Sequence, residues 1–177
     1  MTQAQTASGS LSPVGQPPLR GYRLREFELF AVDGRQIRPS DFRAQANLVL
    51  IFAGTPTMAM NSLKEIAQCN HELQKEESQV IAIVQATEVA ASDLANALEL
   101  PFPLLVDQDG SAHRQFGAAD HNGVPAPAIY ITDRYGEVFG SFRTAIGQRL
   151  PTFHEILSWL SFVNSQCPEC ESPEWPL

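Results

Sequence analysis

Short apolar runs alternate with helical periodicities along this 177-residue chain, and their order predicts its elements. Phe27-Glu28-Leu29-Phe30-Ala31-Val32 runs into Asp33-Gly34 and then Arg35-Gln36-Ile37. This is a hairpin signal, because both turn residues tolerate positive φ. Asn47 to Ala53 reads as a near-continuous apolar strand. Thr55-Pro56 then marks a helix start, with Thr as the cap and Pro at the first helical position, where no hydrogen bond is lost. Met60, Leu63, Ile66, Ala67 and Leu73 follow, mostly at three- and four-residue intervals. Val80 to Val84 is a second all-apolar strand. A helix over roughly Val89 to Leu98 is stopped by Pro101 and Pro103, and Leu104-Leu105-Val106 is a short strand closed by Asp107-Gln108-Asp109-Gly110. A short helix runs to about Phe116. Strands follow at Ala128 to Ile131 and Val138 to Phe142, joined by Asp133-Arg134-Tyr135-Gly136. The last helix places Phe153, Ile156, Leu157, Leu160 and Val163 on one face, with Thr152 as its cap.

Central strands that are apolar throughout are buried on both faces, which requires a sheet with helices on either side. The last two strands are joined too tightly to be parallel. The predicted class is therefore α/β, a central mixed sheet flanked by helices, with a β-hairpin added at the N-terminus.

Charge marks the borders of this unit. Residues 1–20 carry no ionisable side chain before Arg20 and read as a flexible leader. Residues 21–164 form the folded domain, and 165–177 form a tail rich in Pro and Glu. The leader has neither the basic start nor the apolar stretch of a secretory signal, so a cytoplasmic location is expected. No run approaches the ~18 apolar residues of a membrane span, so no membrane partner is expected. Twelve Lys+Arg against 20 Asp+Glu give a net charge of −8, which repels phosphate backbones, so no nucleic-acid partner is expected either. Three cysteines are too few for a disulfide scaffold, and the odd count leaves one unpaired within the chain.

Several pieces in fixed order carry a family resemblance. They are Phe27-Glu28-Leu29 with Asp33-Gly34 and Ser40-Asp41-Phe42, an apolar strand, and Thr55-x-x-Met58 opening a helix. Then come Leu100-Pro101-Phe102-Pro103-Leu104-Leu105-Val106-Asp107 with Asp109-Gly110, and Pro127-Ala128-Ile129-Tyr130-Ile131-Thr132-Asp133 with Gly136. Together, over roughly residues 25 to 162, they resemble the alkyl hydroperoxide reductase and thiol-specific antioxidant group of redoxins. The resemblance implies a thioredoxin-like fold with a four-stranded mixed sheet, an active-site loop from Gly54 to Ala59, and the segment at Pro127 facing it, where thioredoxin-like proteins often hold a cis-proline. It also implies a peroxidatic cysteine three residues after the loop threonine, where a helix N-terminus lowers the thiol pKa. Thr55 occupies the threonine position, and Met58 occupies that of the cysteine. The usual opening proline falls at Ile51, and the supporting arginine falls at Pro127. Thr55, Met58 and Pro127 thus form a degenerate version of that site. A thioredoxin-type dithiol is absent as well, since Gly54 to Asn61 contains no cysteine.

The cysteines lie elsewhere. Cys69 is about 240° round the helical wheel from Leu63, at the edge of the buried stripe, and reads as a small semi-buried hydrophobe in the wrong half of its helix for dipole activation. Cys167-Pro168-Glu169-Cys170 is a Cys-x-x-Cys pair that can close a disulfide or give two thiolates to a metal. Glu169, Glu171 and Glu174 raise the thiol pKa values there. Three readings stand open. In the first, Cys167 and Cys170 are the catalytic thiols acting on a thiol or disulfide partner. In the second they are half of a zinc site completed by Cys69, His71, His113, His121 or a second subunit, and in the third they are an inert dithiol. The expected function is a redoxin with its thiol chemistry in the CPEC motif, no cofactor and a homodimer as an open state. The alternative is a non-catalytic binding or scaffold module. His71 and His121 read as solvated. His113 and His154 have no evident sequence neighbour to orient them, and Asp107 and Asp109 beside Gly110 read as turn chemistry. Trp175 reads as an anchor of the tail onto the body.

Overall fold

A computed structural model describes residues 17–166. Its elements run β1 (Leu29–Phe30), β2 (Gln36–Ile37), β3 (Asn47–Phe52), α1 (Pro56–Lys75), β4 (Ser78–Val84), α2 (Glu88–Leu98), β5 (Leu104–Val106), α3 (Ser111–Gln115), β6 (Ala128–Thr132), β7 (Val138–Arg143) and α4 (Phe153–Ser165). The main sheet has the order β5-β4-β3-β6-β7. Strands β3, β4 and β5 are parallel, while β6 and β7 run antiparallel. The sheet therefore has five strands, not the four the resemblance implied. Leu104–Val106 adds to the outer edge of β4, with Ala82 opposite Leu104 and Val84 opposite Val106.

All six residues of β3 are buried, and their alternation divides the core in two. Val49 and Ile51 face a cluster with Leu63, Ile66 and Leu73 of α1, Leu94 of α2 and Ile156 and Leu160 of α4. Leu48, Leu50 and Phe52 face Phe27, Ala112, Phe116 and Tyr130 on the opposite side. Each such aliphatic or aromatic side chain contributes about 1.5–3 kcal/mol on burial, which accounts for the uninterrupted apolar strand.

The hairpin is shorter than its sequence pattern. Leu29 pairs with Ile37 and Phe30 with Gln36, and the backbone then divides its donors. Ala31 N–H bonds within the turn to Arg35 O at 2.8 Å, while Val32 N–H crosses to Leu104 O at 3.0 Å, bridging the hairpin to the β5 edge. At the far edge, Gly21 N–H donates to Val138 O at 2.9 Å and Val138 N–H donates to Tyr22 O at 2.9 Å. Contacts begin before residue 21, for Pro18 is buried and its carbonyl accepts from Ser141 Oγ at 2.9 Å.

Capping follows the sequence at α4 and α2. Thr152 Oγ1 accepts from Glu155 N, and Glu155 Oε2 accepts from Thr152 N at 2.7 Å, a reciprocal capping box. Thr87 accepts from Ala90 N at the start of α2. Among the described residues, no helix is long and apolar enough to cross a membrane.

Candidate active site

The loop after β3 is set by backbone conformation. Gly54 has φ +76, a left-handed value at which a side chain is strained. Its carbonyl accepts from Gln85 N at 2.8 Å, holding the end of β3 against the end of β4. Thr55 then occupies the N-cap position with extended backbone, and Pro56 opens α1. The expected cap is only half realised, because the Thr55 hydroxyl accepts no hydrogen bond from the first turn. That turn also has no acidic residue. Its leading amides, those of Thr57 and Met58, therefore lack both an intrahelical acceptor and a side-chain cap.

Met58 folds back over this corner. A Cβ built on Gly54 would lie 3.0 Å from the Met58 sulfur, so the thioether rests on the glycine backbone. Met58 is nevertheless 44% exposed, and Met60 is 40% exposed.

Pro127 comes to the same end of the sheet. Ala128 pairs with Phe52, so the residue before Ala128 and the loop after Phe52 are neighbours across the β3–β6 ladder. The Pro127 carbonyl is fixed by Thr144, whose amide and hydroxyl both donate to it, at 3.0 and 2.9 Å. The peptide bond preceding Pro127 is trans, as are all others among the described residues, which corrects the cis-proline expectation. Thr55, Met58 and Pro127 thus lie at one end of the sheet.

Two features at this end escaped the sequence reading. Arg143 closes β7 opposite Ala128, one residue beyond the predicted strand end. Its side chain lies against Gly117 and its Nε is buried without a hydrogen-bond partner. The neighbouring Tyr130 hydroxyl donates to Phe116 O, and burial pushes its phenol pKa well up, an effect the Arg143 charge only partly offsets.

The second feature is a buried pair. His113 is fully buried, and its Nδ1 lies 2.7 Å from Asp107 Oδ2, with Asp107 only 1% exposed. Asp107 also accepts from the His113 amide at 2.8 Å and the Ala112 amide at 3.2 Å. Burial raises the Asp107 pKa. The His113 ring bond and the two amide bonds outweigh that and hold it below the usual carboxylate range. An ionised carboxylate only accepts, so the ring proton belongs on Nδ1, leaving Nε2 buried and unpartnered. His113 therefore does have an orienting neighbour, contrary to the sequence reading, and Asp107 is more than turn chemistry. Asp109 does match that reading, its Oδ1 accepting from Ser111 N at 2.9 Å.

No thiol reaches the loop from within the described residues. Cys69 is half-buried against the core along α1, as its wheel position predicted. Cys167, Cys170 and Trp175 lie outside the described residues, so the zinc reading and the tail anchor find no test there. The end of α4 can be placed: Asn164 Nδ2 donates to Glu76 O at 3.0 Å, and Asn47 Nδ2 donates to Asn164 Oδ1 at 2.7 Å. Gln166 therefore follows a helix that ends at the start of β3, while the Gly54 loop follows its other end. His71, His121 and His154 are exposed. Among the described residues, no group of three or more His, Cys, Asp or Glu side chains could hold a metal ion.

A family model described as the AhpC/TSA family matches residues 21–140. No curated protein matches the chain. Among solved structures, the peroxidoxin BcpB from Mycobacterium tuberculosis superposes with a TM-score of 0.68 at 17% identity, over 80% of this chain and 94% of that one. AhpC of Mycobacterium bovis gives 0.69 at 18% identity, over 94% and 99%. A reduced 2-Cys peroxiredoxin from Plasmodium vivax gives 0.69 at 15%, over 84% and 83%. At these identities the likeness is one of fold.

Proposed function

Because the chain belongs to the AhpC/TSA family, we propose that it is a peroxiredoxin-like redox protein whose thiol chemistry is carried by Cys167 and Cys170. The loop between Gly54 and Ala59 is then a degenerate version of the family site. The observation that carries this reading is a loop that keeps its helix start and its threonine but presents the thioether of Met58 in place of a thiol. A thioether has no acidic proton and forms no thiolate. The chain's one dithiol spacing is Cys167-Pro168-Glu169-Cys170. Residues 21–164 are read as the redoxin unit, with 1–20 as a leader that packs on it at Pro18, and 165–177 as the segment bearing the dithiol.

The chemistry is disulfide exchange. One thiolate attacks a sulfur of the partner's disulfide, the S–S bond breaks, and the released partner thiolate takes a proton from solvent. The second thiolate of the pair then attacks the first sulfur, closing Cys167–Cys170 and freeing the other partner thiol. Two electrons pass from the dithiol to the partner. Reach supports a reaction away from Met58 of the same chain. Six strand residues at ~3.3 Å each separate the two ends of β3 by about 20 Å, whereas the four residues from Gln166 to Cys170 extend about 14 Å at most.

The test measures reduction of insulin disulfides and of hydrogen peroxide by the full chain and by Cys167→Ser. Disulfide reduction that disappears in Cys167→Ser supports the reading, and activity that survives the substitution overturns it. A wild type inactive in both assays points instead to a binding module, the reading favoured by the exposed Met58 and Met60 on the first turns of α1.

A further inference from the structure

We infer that the groove beside Trp159 and Phe162 of α4 is the docking site of this chain's own C-terminal segment, seated through Trp175. The helix carries two stripes. Phe153, Ile156, Leu160 and Val163 are buried in the core, whereas Glu155, Trp159 and Phe162 recur at four- and three-residue spacing on an adjoining face. Phe162 is 41% exposed there. Trp159 and Phe162 meet edge to face at 6.1 Å, and Phe142 and Phe139 of β7 flank them at 5.9 and 6.2 Å. The Arg20 guanidinium lies over the Trp159 ring, 5.7 Å from its centroid. Arg20, Trp159 and Phe162 border an open groove of about 310 Å³, with room for one large aromatic ring.

Length, composition and charge choose the occupant. The chain continues from Gln166 at the end of this helix, and Trp175 comes nine residues later. Those nine residues reach up to about 30 Å, while Phe162 and Trp159 lie only about 6 and 11 Å back along the helix axis. The segment can therefore turn and run back over the groove. Trp175 stands in Pro173-Glu174-Trp175-Pro176. Prolines three apart favour an extended conformation that settles against aromatic faces at low ordering cost. Glu174 brings an acid beside the ring. At the groove, Glu155 is held by Arg149 at 2.7 Å, and Arg20 is in no ion pair among the described residues, so it is the charge left to receive that acid. Residues 1–16 hold neither an aromatic ring nor an acidic side chain to fill these roles. A second copy of the chain would engage about 20–30 residues a side, far more than the five that line this groove. The docking holds whether or not Cys167 and Cys170 are catalytic, and it places both in the return between the helix end and the groove.

The chain's two tryptophans supply the readout. Full-length protein labelled with 5-fluorotryptophan, kept reduced, gives two fluorine NMR signals, and Trp175→Phe identifies the one from the tail. That signal is expected away from its position in the urea-unfolded chain. Phe162→Ser removes a wall of the groove and is expected to return it to the unfolded position, while the Trp159 signal remains distinct from its own unfolded value and reports an intact domain. Arg20→Glu, at an exposed position, sets a like charge against Glu174 and is expected to move the Trp175 signal at least about half of the way. A wild-type Trp175 signal at the unfolded position overturns the proposal. A displaced signal that neither substitution moves overturns it too, because the ring then sits elsewhere. A displaced signal that returns on about tenfold dilution seats the ring on a second copy and overturns docking within one chain.

Discussion

Replacing Asp107 with Ala tests whether the buried His113 pair holds α3 against the sheet. The carboxylate receives the His113 ring at 2.7 Å, the His113 amide at 2.8 Å and the Ala112 amide at 3.2 Å, all away from solvent. Alanine removes the common acceptor and leaves these donors buried. At about 1–3 kcal/mol per orphaned donor, and with the two shortest bonds dominating, the loss comes to about 4 kcal/mol. That is a large part of the about 5–15 kcal/mol that holds a domain together. Urea unfolding followed by circular dichroism reads it as a lower midpoint at an unchanged slope. The pair also fixes a pH signature. Because the folded-state pKa is depressed, the stability it confers is complete above the unfolded value of about 3.9 and is lost as pH falls through the lower folded value. The gap between wild type and Asp107→Ala should therefore be constant near neutrality and narrow below pH ~4. A destabilisation under about 1 kcal/mol would refute the reasoning, as would strict additivity with His113→Ala, since coupled partners in one network do not add.

Thr152→Ala removes one half of the α4 capping box and should cost about 1 kcal/mol, read as a Tm drop of about 2–4 °C. The Arg149 guanidinium beside Glu155 and the Thr152 amide hold that carboxyl down at about 2, so the other half of the box should persist through mild acid and fail only as pH approaches that value. A melt at pH 4 that matches Thr152→Ala at neutrality would contradict this. Gly54→Ala places a Cβ at φ +76 and 3.0 Å from the Met58 sulfur, and should cost at least about 1–2 kcal/mol by thermal melt. Met58→Cys puts a thiol on the first turn of α1, and a sulfenic-acid probe should label it after peroxide treatment. A failure to label would show that the loop no longer supports thiol chemistry.

The parts of this fold that were legible in sequence are those whose environment is uniform along the chain. Strands β3, β4 and β6 are buried on both faces, so they appear as unbroken apolar runs, and α1 and α4 repeat their core residues at helical spacing. The fifth strand was visible as Leu104–Val106, but its partner was not, because pairing depends on the crossover that returns the chain beside β4. The Asp107–His113 pair illustrates a different limit. Asp109 and Gly110 do form the turn their chemistry predicts, and that turn rotates the start of α3 so that His113, its third residue, points at the carboxylate. An Asp placed before such a turn, with a His at the third helical position beyond it, is the signal that could have exposed the pair. Thr55 shows that a cap position can be right while its hydrogen bond is missing, since φ and ψ follow the helix start and the hydroxyl rotamer does not. Arg143 was overlooked because the apolar pattern of β7 ends at Phe142, one residue before the ladder does.

Residues 21–32 touch both outer strands of the main sheet, bonding to Val138 of β7 at one end and to Leu104 of β5 at the other. An exposed strand edge is a template onto which another chain can add itself, and a sheet of five strands has two of them. One contiguous stretch of about a dozen residues, stapled through Phe27 into the underlying core, blunts both at these positions. Its loosening would uncover two sticky borders together, so the integrity of this short segment bears on whether the protein remains a separate molecule or recruits its neighbours into aggregates.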